Sequence, residues 1–185
     1  MSPTFEQITE NINQGIAVSL EEDEMGFGKC FNEIGRVSCN DRNCRNPISC
    51  QNPVTRYLRT KSLVSNLVPK KSRTGLGLVS EVDIEDGVVI MEYIGEFVVK
   101  NSDMGYSFKI TSSLFLSALD KGNSTRFINH GCKPNAQAEV WSVDGYIRVF
   151  VFSKRSIVKN TFITLDYGNE YTFPRGCRCD SCYSK

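Results

Sequence analysis

KGNSTRFINHGCKPN, residues 121–135, is the most informative stretch of this 185-residue chain, and it contains the only histidine. Asn129 offers both a hydrogen-bond donor and an acceptor, His130 follows it directly, and Cys132 stands two positions further on. A loop that merely joined two strands would not need this density of polar and metal-ligating groups. The stretch is therefore interpreted as a candidate functional loop, with an ordinary structural loop as the alternative.

The C-terminal sequence CRCDSC supplies cysteines that can be related to this loop. It places Cys177, Cys179 and Cys182 within six residues. A structural zinc ion prefers four ligands in a tetrahedron, so three closely spaced thiolates need one distant partner. Cys132 is the candidate for that partner, and its recruitment would hold the C-terminal tail over the Asn129 loop. Incidental thiols are the alternative interpretation.

A second group of cysteines comes earlier in the chain. Cys30, Cys39, Cys44 and Cys50 are enough for one closed, structural zinc site made of cysteines alone. The first residues lack a basic start followed by an apolar run, and no apolar stretch is long enough to span a bilayer. We therefore expect a protein that is neither secreted nor embedded in a membrane, where clustered cysteines favour metal ligation over disulfides.

The net charge of +1 hides an uneven distribution of charged residues. Residues 1–41 hold eight acidic and two basic side chains, whereas residues 42–80 hold eight basic side chains and no acidic one. The basic residues, which lie between positions 42 and 73, are interpreted either as a face toward nucleic-acid phosphate or as an ordinary solvated surface.

The rest of the pattern predicts a mainly β protein with one principal domain, because one good core is what 185 residues with 40% hydrophobic content can bury. Runs rich in Val, Ile, Phe and Tyr predict strands over 75–80, 88–99, 106–111, 114–119, 138–143, 146–153 and 161–167. The Asp144–Gly145 pair predicts a hairpin turn. A short amphipathic helix is predicted only over residues 2–14.

Six motifs occur in a fixed order along the chain: RTGLGL, MEYIGE, GYSFKI, KGNSTRFINHGCKPN, TFITLDYG and CRCDSC. Together they resemble the SET-domain lysine methyltransferases followed by a post-SET zinc tail, over residues 70–182. The cysteine-bearing stretch upstream is similar to a reduced AWS region, as found in the NSD, ASH and Set-two group. Leu165 departs from the pattern, since the family usually carries Phe or Tyr two positions before its catalytic tyrosine.

This resemblance implies a fold and a division of the chain. The expected fold is a set of small β-sheets with a C-terminal pseudoknot, flanked by zinc-binding segments. The expected units are an acidic N-terminal segment (1–25), an AWS-like zinc region (26–60), a SET catalytic domain (61–171) and a post-SET zinc tail (172–185).

The resemblance also implies an activity, namely S-adenosylmethionine-dependent N-methylation of a lysine on a histone H3 tail. The protein would then be nuclear and chromosome-associated, with nucleosomes as partners and DNA phosphate contacts through residues 42–73. Two alternatives stay open, a catalytically silent SET module that acts as a chromatin-binding scaffold and a methyltransferase for a non-histone protein.

Residue roles follow from the same resemblance. Tyr167 would be the catalytic tyrosine that orients the amine, and Tyr93 and Phe108 would wall a narrow channel in which aromatic faces stabilise a cation. The cofactor-binding residues would be Gly75, Leu76, Gly77, Tyr106, Asn129, His130 and Tyr167. Zinc ions would be held by Cys132 with the three C-terminal cysteines, and by the four upstream cysteines.

Overall fold

The computed structural model describes residues 6–8, 11, 35–40, 42–44, 50–99, 104–169, 171–174 and 176–183. In this part of the chain the strands are β1 (Glu6–Gln7), β2 (Leu67–Ser72), β3 (Gly75–Ser80), β4 (Val89–Tyr93), β5 (Glu96–Val98), β6 (Ser107–Lys109), β7 (Phe115–Ser117), β8 (Lys121–Gly122), β9 (Asn129–His130), β10 (Ala136–Val143), β11 (Tyr146–Ser153) and β12 (Thr164–Leu165). The α-helices there are α1 (Pro53–Thr60) and α2 (Asp180–Tyr183). The prediction of a mainly β fold is therefore confirmed.

The strands form small sheets rather than one large one. The antiparallel sheets have the orders β10-β11-β4 and β5-β7-β6, and β2 pairs with β3 as a hairpin. Asp144 and Gly145 join β10 to β11 with φ values of 52° and 85°. Positive φ at both central residues is the geometry that a two-residue hairpin turn requires, so the predicted hairpin is confirmed.

Two parallel pairs join strands that are distant in sequence. β1 pairs with β8, and β12 pairs with β9 so that Thr164 faces Asn129 and Leu165 faces His130. Isolated β-bridges also join Val79 to Phe162 and residue 84 to residue 157. They connect the segment 157–165, which ends with β12, to the end of β3 and to the loop that follows it. The segment 157–165 is thus interleaved between segments that precede it in the sequence, which is the order of pairing that the expected pseudoknot requires.

The main core consists mainly of Leu, Ile and Val side chains, many of them from β3, β4, β7 and β11. A second cluster forms where α1 covers the outer face of the largest sheet, with Val54 and Tyr57 against Phe150. Sequence analysis did not predict this helix, although its start carries a recognisable signal. Asn52 accepts a hydrogen bond from the Thr55 N–H at 3.0 Å and Pro53 follows it, as at many helix N-termini.

Several boundaries differ from the predicted ones. The predicted strands 75–80 and 146–153 match β3 and β11 residue for residue. The predicted run 88–99 is wrong as a single strand, because β4 ends at Tyr93 and pairs with β11, whereas β5 begins at Glu96 and pairs with β7. The predicted helix 2–14 is wrong at Glu6–Gln7, which form β1, and most of its other residues lie outside the described part.

The helices in the described part of the chain are short. None of them has both the length and the apolar character needed to cross a membrane.

Candidate active site

Tyr167 follows β12 and is fixed at both its backbone and its ring. Its hydroxyl donates a hydrogen bond to the carbonyl oxygen of Ile128 at 2.7 Å. Its backbone N–H donates to Nδ1 of His130 at 3.2 Å. Burial raises the pKa of the Tyr167 phenol, with smaller contributions from Tyr171 and Tyr106, so the hydroxyl stays protonated at neutral pH.

A cavity of about 580 Å³ lies in front of this tyrosine. Tyr93, Phe108 and Tyr167, the three predicted catalytic residues, all line it, together with Leu165. The Tyr93 and Phe108 rings lie 6.5 Å apart, and the Tyr93 hydroxyl donates to the Tyr106 carbonyl oxygen at 2.6 Å. Burial also raises the pKa of Tyr93. The site therefore presents two neutral phenols whose oxygen atoms can accept further hydrogen bonds.

The predicted glycine-rich cofactor segment lies beside Asn129. The Nδ2 group of Asn129 donates to the Leu76 carbonyl oxygen at 2.9 Å and to Ser72 Oγ at 3.2 Å. A Cβ on Gly77 would meet the Phe162 ring at 2.7 Å, so only glycine fits there. Gly75 has φ +121° and nothing within 4 Å of its Cβ position, which leaves its backbone open to a ligand.

Tyr106 lies beside the cavity, and its neighbours in sequence, Gly105 and Ser107, line the wall. The guanidinium of Arg126 is 4.5 Å from the centre of the Tyr106 ring. Arg126 is itself buried, and it donates to the carbonyl oxygens of residues 118 and 119 at 3.0 and 2.9 Å. This arginine thus secures Tyr106, a role that sequence analysis missed although Arg126 stands within the 121–135 stretch.

The C-terminal cysteines lie close to Cys132, the residue that the sequence suggested as their fourth ligand. Its Sγ atom is 3.7 Å from that of Cys177 and 3.5 Å from that of Cys182. Cys179 belongs to the same group, since its sulfur lies within 4.8 Å of those of Cys132 and Cys177. A tetrahedron with metal–sulfur bonds of about 2.3 Å has edges of about 3.8 Å, so these thiols can hold one zinc ion without large rearrangement.

The upstream cysteines also gather. The sulfur atoms of Cys39, Cys44 and Cys50 lie within 4.8 Å of one another, which suits three ligands of one metal ion. Thr55 of α1 supports this group, because its Oγ1 accepts a hydrogen bond from the Cys39 N–H at 2.7 Å. Cys30, the fourth predicted ligand, lies outside the described residues.

The tail between Tyr167 and the C-terminal cysteines carries aromatic residues that sequence analysis did not assign. Phe173 packs on the His130 ring at 4.8 Å, and Tyr171 contacts both Tyr167, at 5.1 Å, and Phe173, at 4.7 Å. Their alternation in YTF, directly after LDYGNE, was the available signal. These rings hold the tail against Tyr167 and His130.

Arg73 makes a second connection to the tail, and it too was missed. It pairs with Asp180 at 3.1 Å, and its guanidinium lies 4.1 Å from the centre of the Tyr183 ring. Arg73 occupies the turn between β2 and β3, so the hairpin that carries Gly75 is joined to α2.

Several known proteins are similar to this chain in sequence. The chain is 32% identical over 170 residues to a Candida albicans protein named histone-lysine N-methyltransferase, H3 lysine-36 specific, covering 83% of this chain and 19% of the relative. It is 30% identical over 186 residues to Arabidopsis thaliana histone-lysine N-methyltransferase ASHH1, covering 88% of this chain and 37% of the relative. A Plasmodium falciparum variant-silencing SET domain-containing protein is 30% identical, covering 96% and 8%. The chain thus spans well under half the length of these relatives.

Solved structures agree on the fold. A crystal structure of the Chaetomium thermophilum polycomb repressive complex 2 matches with a TM-score of 0.65 and 20% identity, over 77% of this chain and 22% of that one. A structure described as ctPRC2 in an autoinhibited conformation bound to S-adenosylmethionine also matches, with a TM-score of 0.65 and 19% identity, over 83% and 23%. The family model described as SET domain matches residues 75–168, half of the chain. The chain belongs to the SET-domain family.

Proposed function

We propose that this protein is an S-adenosylmethionine-dependent protein-lysine N-methyltransferase that acts on a histone H3 tail. The observation that carries the proposal is the convergence of Tyr93, Phe108 and Tyr167 on one cavity next to the Asn129 loop. The names of the Candida and Arabidopsis relatives support the same reaction and a histone substrate.

The cofactor would be held by the hairpin that carries Gly75, Leu76 and Gly77, with Asn129, His130 and Tyr106 around it. The open backbone at Gly75 fits this role. The two hydrogen bonds of the Asn129 side chain in the described part of the chain both use its Nδ2 group, which leaves Oδ1 to accept from an amine. S-adenosylmethionine, when bound, supplies an electrophilic methyl group on a sulfonium.

The cavity residues prepare the other reactant, the lysine side chain. Desolvation between Tyr93, Phe108 and Leu165 disfavours the charged ammonium and so lowers the pKa of an entering lysine, whose proton passes to water. The oxygen of Tyr167 then accepts a hydrogen bond from the neutral amine and orients its lone pair for in-line attack. The aromatic faces stabilise the methylammonium that results.

The remaining assignments belong to this proposal. Residues 26–60 are the AWS-like zinc region, 61–171 the SET catalytic domain and 172–185 the post-SET zinc tail, following the acidic segment 1–25. The protein would work in the nucleus on nucleosomes. Arg42, Arg56, Arg59 and Lys61 are exposed and supply positive charge suited to DNA phosphate.

The test is transfer of labelled methyl from S-adenosylmethionine to recombinant nucleosomes and free histones. Tyr167→Phe should keep cofactor affinity and lose turnover by about tenfold or more, because it removes the oxygen that orients the amine. Tyr146→Phe is the matched control, since this tyrosine is half exposed on β11 and lies outside the cavity lining.

The outcomes separate the alternatives. Label on a histone that depends on Tyr167 would support the proposal. Cofactor binding without label on any histone would indicate a non-histone substrate. Folded protein that binds no cofactor would indicate a silent chromatin-binding module.

A further inference from the structure

Both ring nitrogens of His130 are engaged by other parts of the protein. Nδ1 accepts the backbone N–H of Tyr167 at 3.2 Å, and Nε2 lies 3.2 Å from Cys132 Sγ. In a neutral imidazole one nitrogen carries a proton and the other accepts. Because Nδ1 accepts, the proton is on Nε2, and this N–H donates to the sulfur.

This arrangement distinguishes between two ligand sets for the C-terminal metal site. By distance alone His130 could replace Cys182, since its ring nitrogen lies within 4.8 Å of the ligand atoms of Cys132, Cys177 and Cys179. A ring nitrogen that binds a metal carries no proton, so the opposite nitrogen would have to be the donor. Two N–H groups, those of Nδ1 and of Tyr167, would then face each other. The contact to Tyr167 therefore favours four cysteines as ligands.

The surroundings of the ring hold it in this orientation. Only 10% of the His130 side chain is exposed, and the rings of Tyr167 and Phe173 pack on it at 5.5 and 4.8 Å. Its backbone is fixed by the pairing of β9 with β12 and by the hydrogen bond from the Gly131 N–H to the Leu165 carbonyl oxygen at 2.9 Å. Asp166 Oδ1 is 3.9 Å from Nδ1, too far to displace Tyr167 as its partner.

We infer that His130 is a positioning residue that couples the four-cysteine metal site to the catalytic tyrosine, through Nε2–H to Cys132 Sγ and through Nδ1 to the Tyr167 N–H. A metal-bound sulfur is ionised and accepts a hydrogen bond more strongly than a thiol does, so an occupied site fixes the tautomer. Nδ1 of His130 then remains unprotonated and continues to accept the backbone N–H of Tyr167. The role in catalysis depends on the proposed function, whereas the hydrogen-bond chain does not.

The coupling can be tested directly because His130 is the only histidine. Long-range ¹H–¹⁵N NMR of the full chain, loaded with zinc or with ¹¹³Cd, will show one imidazole. We expect a single neutral tautomer protonated at Nε2, without the large ¹¹³Cd–¹⁵N splitting of a directly bonded nitrogen. Removal of the metal with a chelator should shift this signal toward a mixture of tautomers. Each of three results would overturn the inference: a large ¹¹³Cd–¹⁵N splitting, a proton on Nδ1, or an imidazole spectrum that does not change when the metal is removed.

Two substitutions test the consequence for the reaction. His130→Asn can still accept the Tyr167 N–H but cannot reach the sulfur, so it should retain two metal ions and lower kcat several-fold. His130→Gln, whose longer amide can donate to Cys132, should recover part of the loss. Loss of metal in both variants, or equal kcat in all three proteins, would refute the positioning role. Because the NMR readout needs no turnover, a failure of the proposed methyl transfer would not be confused with a failure of this inference.

Discussion

The two phenols of the cavity, Tyr93 and Tyr167, determine how the rate of the proposed reaction should depend on pH. The pKa values of Tyr93 and Tyr167 are both raised by burial, so neither can serve as the base that deprotonates the substrate. The titrating group is then the substrate amine, whose ordinary pKa is about 10.4. Single-turnover rates should therefore rise with pH by about tenfold per unit through the neutral range.

Tyr167→Phe should lower the single-turnover rate at every pH without changing the shape of the pH profile. Stopped-flow or quenched single-turnover assays between pH 6.5 and 9.5 provide the measurement. A falling limb below pH 9 that disappears in Tyr167→Phe would mean that the phenol ionises during the reaction, contrary to its buried, hydrogen-bonded setting.

At the level of residues, site residues could be predicted from the sequence where they belong to a recognisable motif. Tyr93, Phe108 and Tyr167 were predicted and share one cavity. The partners that hold them could not be predicted, because the Ile128 carbonyl and the Tyr106 carbonyl are backbone atoms that any residue type would supply. The roles of the side chains in cofactor and substrate binding stay predictions.

At the level of elements, the contact of Arg73 with α2 should control how often the tail opens. An exposed ion pair and one cation–π contact together contribute about 1 kcal/mol, because solvent screens the ion pair. Arg73→Met should therefore raise hydrogen exchange across residues 176–183 by about fivefold, while the zinc content stays constant. Lys71→Met is the control, since Lys71 is exposed on β2 and its loss should leave exchange in the tail unchanged.

Elements differ in how well the sequence predicts them. β11 was predicted to the residue because it is a nearly continuous run of strand-forming side chains. β3 also matches its predicted range, although two of its six residues are glycines. β2 was missed because Pro69 and two lysines interrupt its pattern, and its hydrogen bonds to β3 override that weak local preference. α1 was missed because tertiary packing, rather than a long amphipathic period, stabilises its eight residues.

At the level of the whole molecule, the metal content tests both cysteine groups. We expect about two zinc ions per chain and the loss of one in Cys132→Ser, because removal of one of four thiolates greatly weakens a tetrahedral site. Inductively coupled plasma mass spectrometry on purified protein gives the count. Equal zinc content in Cys132→Ser and the unmodified chain would contradict the ligand set.

The ion pair of Glu92 and Arg148 tests the packing of the largest sheet. Arg148 Nε donates to Glu92 Oε1 at 2.6 Å, and only 4% of the Glu92 side chain is exposed. Arg148→Met leaves this carboxylate buried without its cation, so the free energy of unfolding should fall by about 3 kcal/mol in urea denaturation. Glu92→Gln combined with Arg148→Met should recover part of that loss. A single variant as stable as the unmodified chain would show that the pair contributes nothing.

The fold class followed from strand patterns and an ordered set of motifs, but the spatial arrangement did not. Parallel pairing of β12 with β9 joins residues 35 positions apart, and no local signal specifies such a partner. The same holds for the convergence of the cysteines, where spacing could suggest Cys132 as the fourth ligand but not establish it.

The exposed turn at Asp144–Gly145 has a practical consequence. A cut there would leave Tyr93, Asn129 and Cys132 on one fragment and Tyr167 with the three tail cysteines on the other, so neither half would contain a complete centre. To reassemble, the fragments would have to restore the strand pairing of β11 with β4 and β10, and of β12 with β9. With the proposed methyl transfer as the readout, the two fragments would form a split reporter, in which methylation signals that two fused partners have met.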